Sequence, residues 1–406
     1  TNNFNCDKML VVLLRRRKVK KTIKDFELDG KRVIIRCDFN VPIENGVITD
    51  DTRIVASLRT IKYAIRNNAK VILLSHLGKV KVEEDKKCNS LYPISVKLSE
   101  YLGKDVLFSS DTWSDNLSKM ASSLENGDVL LIENTRFQDV PDNKESKCSL
   151  ELSKYWASLG DIFINDAYGS CHRNHASITG IPKYLPSGVG FLVEKEILKI
   201  DSVLLSSSHP FITILGGKKI DDKINLTLSL AEKSDKLLIG GAMSFTFLKA
   251  MGYMVGKSIV SEENITFAKD MLDKYGEKVV LPVDFVLEDG TIKDIADFDK
   301  DDVGYDIGPK SISLFEKNLE GAKRVILNGP MGLFEDSRYA KGTKMLFKYL
   351  DKNKIKTIVG GGDSASAVNK LGFSDSFYHV STGGGATMKY LEDRHLVGID
   401  AIDDVK

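Results

Sequence analysis

The chain has 406 residues, of which 42% are hydrophobic and 28% charged, with a net charge of +1. That length exceeds one ordinary core and predicts two domains; the composition is that of a soluble globular protein, and the near-zero charge argues against a general nucleic-acid binder. The balance hides an asymmetry: residues 1–200 carry five more basic than acidic side chains, and residues 201–406 carry four fewer.

The chain opens with an apolar run, Met9–Leu14, followed by a basic one, Arg15–Lys21. A secretory signal places its charges before the apolar stretch, so this order reads as a solvated basic face or frayed tail, with a transit peptide or nuclear signal as the alternative. No run approaches a transmembrane span, which predicts no membrane partner. Cys6, Cys37, Cys88, Cys148 and Cys171 are scattered and form no Cys-x-x-Cys pair. They predict a reduced, cytoplasmic setting without a disulfide framework or zinc site.

Short β-branched runs at Val33–Arg36, Val71–Leu74, Val106–Phe108, Val129–Ile132 and Ile162–Ile164 read as strands. Between them lie helical patterns such as Thr52–Arg66, Pro93–Leu102 and Leu150–Leu159, the first with Ile54, Val55, Leu58, Ile61, Ala64 and Ile65 at helical spacing. Continuous apolar strands alternating with amphipathic helices predict a parallel sheet covered on both faces. Phe191–Leu205 reads as a single linking helix. The strand pattern restarts at Phe211–Leu215 and continues through Leu237–Ile239, Val279–Val286, Val325–Leu327, Thr357–Val359 and Tyr378–Val380. The expected fold is α/β, with two doubly wound parallel-sheet domains joined by a hinge helix. The expected boundaries are 1–190, a hinge at 191–205, 206–390, and a tail at 391–406 returning to the first domain. Ligands then belong at the carboxyl ends of the strands.

In the first half those strand ends carry basic and hydroxyl-recognising residues. Arg36–Pro42 brings Asp38 and Asn40, Asp51–Arg53 brings Arg53, and Ser75–Lys79 brings His76. Glu133–Phe137 brings Arg136, and Asp166–His175 brings His172, Arg173 and His175. Any one could be a structural ion pair, but several at strand ends suit a small anion, because the planar guanidinium fork fits phosphate and carboxylate.

In the second half the same positions hold glycine: Leu215–Gly217, Ile239–Gly241, Asn328–Pro330, Val359–Asp363 and Ser381–Gly385. Glycine turns that open helices let phosphate approach free N–H groups at a positive dipole end. Asp363 is placed to hold a phosphate-bound Mg²⁺, with Ser364 as a helix cap or phosphate donor. Lys219 and Lys223, four apart in Gly216–Lys223, would share one face of a helix and neutralise a polyphosphate. Gly252–Ser258 is one residue short of a P-loop and follows a helix pattern, and no Gly-x-Gly-x-x-Gly opens a helix after a strand. The reading is two lobes that hold two different anions.

The segments RCDFNVP, DDTRI, SHLG, ENTRF, DAYGSCHRNHAS, FLVEKEI, LGGKKIDDKI, NGPMGLFE, VGGGDSASAV and STGGGAT occur in this order. In them the chain resembles phosphoglycerate kinases over roughly residues 22–400. The resemblance implies phosphoryl transfer between ATP and 3-phosphoglycerate, giving ADP and 1,3-bisphosphoglycerate, with Mg²⁺, in a cytoplasmic monomer. It implies a triose site of Asp38, Asn40, Arg53, His76, Arg136 and Arg173. It implies a nucleotide site of Gly217, Lys219, Lys223, Gly241, Gly304, Asn328, Glu335, Gly360, Gly361, Gly362, Asp363 and Ser364. Glu335 would hold the ribose, and Asp363 with Asp222 the metal. Arg53 and Lys219, with the Gly361, Gly362, Gly384 and Gly385 amides, would stabilise the phosphoryl group in flight. Several positions depart from the family pattern: Lys79-Val80 stand where Arg-Pro is usual, Lys218 where alanine is usual, and Ser364 where threonine is usual. The first ~15 residues have no counterpart in it. A doubly wound nucleotide-binding oxidoreductase and a non-catalytic two-lobed binding protein are the competing readings. The acceptor carboxylate is already ionised, so no histidine is expected to act as a base, and the lobes are expected to close when both ligands are present.

Overall fold

The structure is a computed structural model that describes residues 19–405. Cys6, the Met9–Leu14 run and most of the basic run that follows lie outside the described residues. Two compact units divide the chain: one runs to Leu198 and takes up the chain again from His395, and the other is Lys199–Arg394. The division falls inside one helix, α2 (Phe191–Leu204).

The first unit is built on β1 (Arg32–Arg36), β2 (Lys70–Leu74), β3 (Leu107–Ser109), β4 (Val129–Ile132), β5 (Ile162–Asn165) and β6 (Ser187–Val189). These form a parallel sheet in the order β3-β4-β2-β1-β5-β6. Val33, Ile34 and Ile35 are all fully buried, as expected of a strand covered on both faces. Helix α1 (Thr52–Arg66) buries Ile54, Leu58, Ile61 and Ala64 along one stripe and leaves Val55 exposed. The chain leaves β1 to one side for β2, then crosses to the other side for β5. The loops after β1 and β5 therefore diverge at a topological switch point, where α/β sheets bind ligands.

The second unit repeats this logic. Strands β7 (Phe211–Leu215), β8 (Lys236–Ile239), β9 (Val279–Val280), β13 (Arg324–Asn328), β14 (Lys356–Gly360) and β15 (His379–Val380) form a parallel sheet. Its order is β9-β8-β7-β13-β14-β15, so the switch point lies between β7 and β13. Leu215, Asn328 and Gly360 stand side by side in register, which brings three glycine loops to one edge.

Two expectations fail locally. Val279–Val286 is not one strand. It breaks at Pro282, whose missing N–H cannot serve a ladder. Only Val279–Val280 joins the parallel sheet, while β10 (Asp284–Leu287) starts an antiparallel sheet with β11 (Ile292–Asp294) and β12 (Gly304–Ile307). Lys219 and Lys223 do not share a helix face either. Lys219 lies in an irregular turn, residues 221–223 form a 3₁₀ turn, and the α-helix α3 begins only at Ile224.

Candidate active site

The loops at the carboxyl end of the first sheet gather positive charge. Arg36 closes β1 and is fully buried. It lies close enough to His76 for its Nη2 to stand 3.2 Å from the ring Nδ1. Arg136 starts the turn after β4, donates to Asp139 at 3.2 Å and to Ser146 Oγ at 3.3 Å, and leaves its buried Nε without a partner among the described residues. Arg173, in the loop after β5, donates to His172 Nε2 at 3.3 Å. Burial, then the positive charge of Arg136, holds the Arg173 guanidinium below its ordinary pKa, with Asp38 opposing. Burial and the nearby arginines 36, 136 and 173 hold His76 well below its usual range, and push His175 down to about 3. Both rings are therefore neutral near pH 7. Cations crowded together behind neutral imidazoles make a site that an anion would stabilise.

The remaining triose candidates frame this cluster. Asp38 is buried and meets Arg53 Nη1 at 3.3 Å, and the same nitrogen donates to the Asn40 carbonyl at 3.1 Å. Asn40 Oδ1 accepts from the Gly78 amide at 2.8 Å and so anchors the turn that carries His76. Lys79, the substitute for the usual arginine, is exposed.

In the second unit the glycine loops are knitted by their own backbone. Gly216 N donates to Asn328 O at 2.9 Å, Gly217 N to Pro330 O at 2.9 Å, and Gly241 N to Met331 O at 3.1 Å. The approach at Gly329 requires glycine: its φ is +100°, and an added Cβ would fall 2.1 Å from Gly216 O. Asn328 and Ser364 act as staples, with Asn328 Nδ2 on Gly360 O at 3.0 Å and Ser364 Oγ accepting from Gly329 N at 2.6 Å. Gly361 and Gly384 precede helices α5 (Gly362–Leu371) and α6 (Gly385–Asp393), and no side chain caps either helix.

These loops border a cavity of about 570 Å³, a size typical of ligand pockets. Gly217, Gly241, Gly304, Glu335 and Asp363 line it, as the sequence expectation grouped them, and Phe245, Tyr305, Met331 and Phe334 add an apolar wall. Lys219 does not line it. It borders a neighbouring cavity of about 320 Å³ with Ile220 and Asp221, and Lys218 borders both. Lys223 lies beside Gly217, 3.4 Å from where a Cβ would stand. Burial lowers its pKa, against the raising effect of Asp363 and Asp222.

Among the described residues no group of three or more His, Cys, Asp and Glu side chains could hold a metal on its own. A carboxylate beside the glycine amides of this cavity still fits Mg²⁺, which commonly takes one or two carboxylates and completes its shell with phosphate and water. Asp363 meets that description; Asp222 is not among the residues lining the cavity.

Sequence reasoning missed several supporting groups. Asn134 is fully buried and ties the β2 and β4 loops together, donating to Leu77 O and Asn89 O at 2.8 Å each. Glu145 and Ser177 lie behind Arg36, and the apolar wall of the cavity comes from three separate segments. The one local signal was Arg36 itself, a charge closing an apolar strand.

The sequence model of the phosphoglycerate kinase family matches residues 23–394. The phosphoglycerate kinase of Macrococcus caseolyticus is 51% identical over 394 residues, covering 95% of this chain and 100% of that protein. That of Listeria monocytogenes is 50% identical over 393 residues, covering 95% and 99%. Among solved structures, phosphoglycerate kinase from Coxiella burnetii superposes with a TM-score of 0.85 at 36% identity, covering 94% of this chain and 98% of that one. The Pyrococcus horikoshii enzyme superposes with a TM-score of 0.81 at 28% identity. With two doubly wound sheets, an arginine cluster on one and a glycine-lined cavity on the other, the chain belongs to the phosphoglycerate kinase family.

Proposed function

We infer that the chain transfers a phosphoryl group reversibly between ATP and the carboxylate of 3-phosphoglycerate, giving ADP and 1,3-bisphosphoglycerate. Family membership carries the reaction class. The cavity lined by Gly217, Gly241, Glu335 and Asp363 supports the assignment of sides, because it joins an apolar wall for a flat base to a glycine edge for phosphates.

The chemistry asks little covalent work of the protein. The attacking carboxylate is ionised at neutral pH, so no base is required, in keeping with a neutral His76 and His175. Catalysis then rests on positioning and on charge stabilisation of the moving group. Arg136, Arg173 and His76 hold the triose; Asp38 and Asn40 orient the loop and Arg53. Lys219 and Lys223 draw off charge from the nucleotide side, and the N-termini of α5 and α6 offer amides to phosphate oxygens. Asp363 would hold Mg²⁺ on the nucleotide side, where the ion would supply charge neutralisation for the phosphates. Direct transfer needs the reacting oxygens to meet at about 3–3.5 Å, so we propose that the two lobes close when both ligands are bound. The protein acts as a cytoplasmic monomer in this reading, and no described helix is long and apolar enough to cross a membrane.

A coupled assay tests this directly. ADP should form from ATP and 3-phosphoglycerate with Mg²⁺ and fall away when the metal is chelated; absence of turnover with all three present would overturn the assignment.

A further inference from the structure

The hydrogen bonds behind the arginine cluster run in one direction. Glu145 is fully buried, and its carboxylate accepts twice from Ser177: from the hydroxyl at 2.5 Å and from the backbone amide at 3.0 Å. The single hydroxyl proton of Ser177 is thereby committed to Glu145. Its oxygen can then only accept, and it does so from Arg36 Nε at 2.9 Å. Arg36 also donates Nη1 to the Cys37 carbonyl. These bonds fix the guanidinium plane and aim Nη2 at His76 Nδ1, 3.2 Å away.

A guanidinium has donors and no acceptor. The imidazole nitrogen facing it must therefore be bare, which leaves the ring proton on Nε2. Nε2 makes no hydrogen bond among the described residues, although His76 is only 8% exposed. An N–H donor with no protein acceptor among the described residues, on a largely buried ring near Arg136 and Arg173, suits an oxygen of an anionic ligand.

We propose that Glu145, Ser177 and Arg36 are positioning residues that lock His76 as its Nε2–H tautomer, so that this N–H donates to an oxygen of the bound triose. The chain of bonds explains why a carboxylate lies fully buried behind a cationic site. Glu145 keeps Arg36 in a single orientation and balances its charge, while Arg36 dictates where the imidazole proton resides. The identity of the ligand rests on the function proposed above; the tautomer does not.

The test is nitrogen-15 NMR of the ligand-free full chain with labelled histidine, near neutral pH. His76 should show a bare Nδ1 and a protonated Nε2. In Arg36→Met a measurable fraction of Nδ1–H should appear, and the KM for 3-phosphoglycerate should rise about two- to tenfold, as expected for one hydrogen bond, with the KM for ATP unchanged. Ser177→Ala should show the same changes at smaller amplitude, and it serves as the readout should Arg36→Met fail to fold. A protonated Nδ1 in the wild type, or a tautomer unmoved in the folded variants, would overturn the proposal. An inactive wild type with the expected tautomer would instead count against the functional assignment alone.

Discussion

Replacing Arg136 with methionine tests the triose side at the cation whose buried Nε has no partner among the described residues. Methionine keeps an unbranched apolar stem but loses the charged fork. Asp139 would remain satisfied, because it also accepts from Ser146 N at 2.7 Å and Ser146 Oγ at 2.6 Å. Arg173 would be relieved of the neighbouring charge that helps to lower its pKa. The protein should therefore fold with little loss, and the deficit should appear in substrate binding. A hydrogen bond to a charged group contributes about 1.5–3 kcal/mol, so the KM for 3-phosphoglycerate should rise by roughly 10- to 150-fold. The KM for ATP, whose proposed site lies in the other unit, should change less than about twofold. Steady-state kinetics with each substrate varied in turn measures both. A triose KM within about threefold of wild type would refute the placement of the triose at this cluster.

Lys219→Ala should lower kcat by about two to four decades, by analogy with loss of one transition-state charge contact; a variant with most of its turnover would remove Lys219 from the mechanism. Gly241→Ala puts a Cβ 2.5 Å from Gly217 N at a φ of +63°. It should destabilise the second unit by about 1–3 kcal/mol, or roughly 2–4 °C in Tm for each kcal/mol, and an unchanged calorimetric transition would contradict the described glycine packing. Asp166 Oδ1 accepts from the Leu192 and Val193 amides at the start of α2, and burial pushes this carboxyl up from 3.8 to about 7. Between those values the folded state keeps a proton that the unfolded chain has lost, so this group's contribution to stability falls as pH rises from about 4 to 7. Asparagine mimics the neutral acid throughout. The wild type should lose up to ~4 kcal/mol against Asp166→Asn across that window, read from urea midpoints, and a gap independent of pH would refute it.

Most of the fold was legible because buried parallel strands announce themselves as apolar runs. Phe211–Leu215 and Val129–Ile132 have the expected limits, and Thr52–Arg66 forms the expected helix. What failed depends on information outside the local pattern. Val279–Val286 is apolar enough for one strand, but Pro282 divides it between two sheets. The spacing of Lys219 and Lys223 suits a helix that starts only after both. The candidate site was legible wherever a loop pairs a charged or glycine residue with a strand end. It was illegible at Glu145, Ser177 and Asn134, whose partners across the site lie 32 to 141 residues away in the chain. Such long-range hydrogen bonds leave no local spacing to read.

The claim on which the rest depends is that the two anions occupy different units. A crystal structure of the protein with ADP and Mg²⁺ tests it most directly. The diphosphate should lie beside Asp363 and the first turn of α5, with the base in the cavity walled by Phe245 and Met331. A diphosphate bound against Arg136 and Arg173 instead would contradict the account.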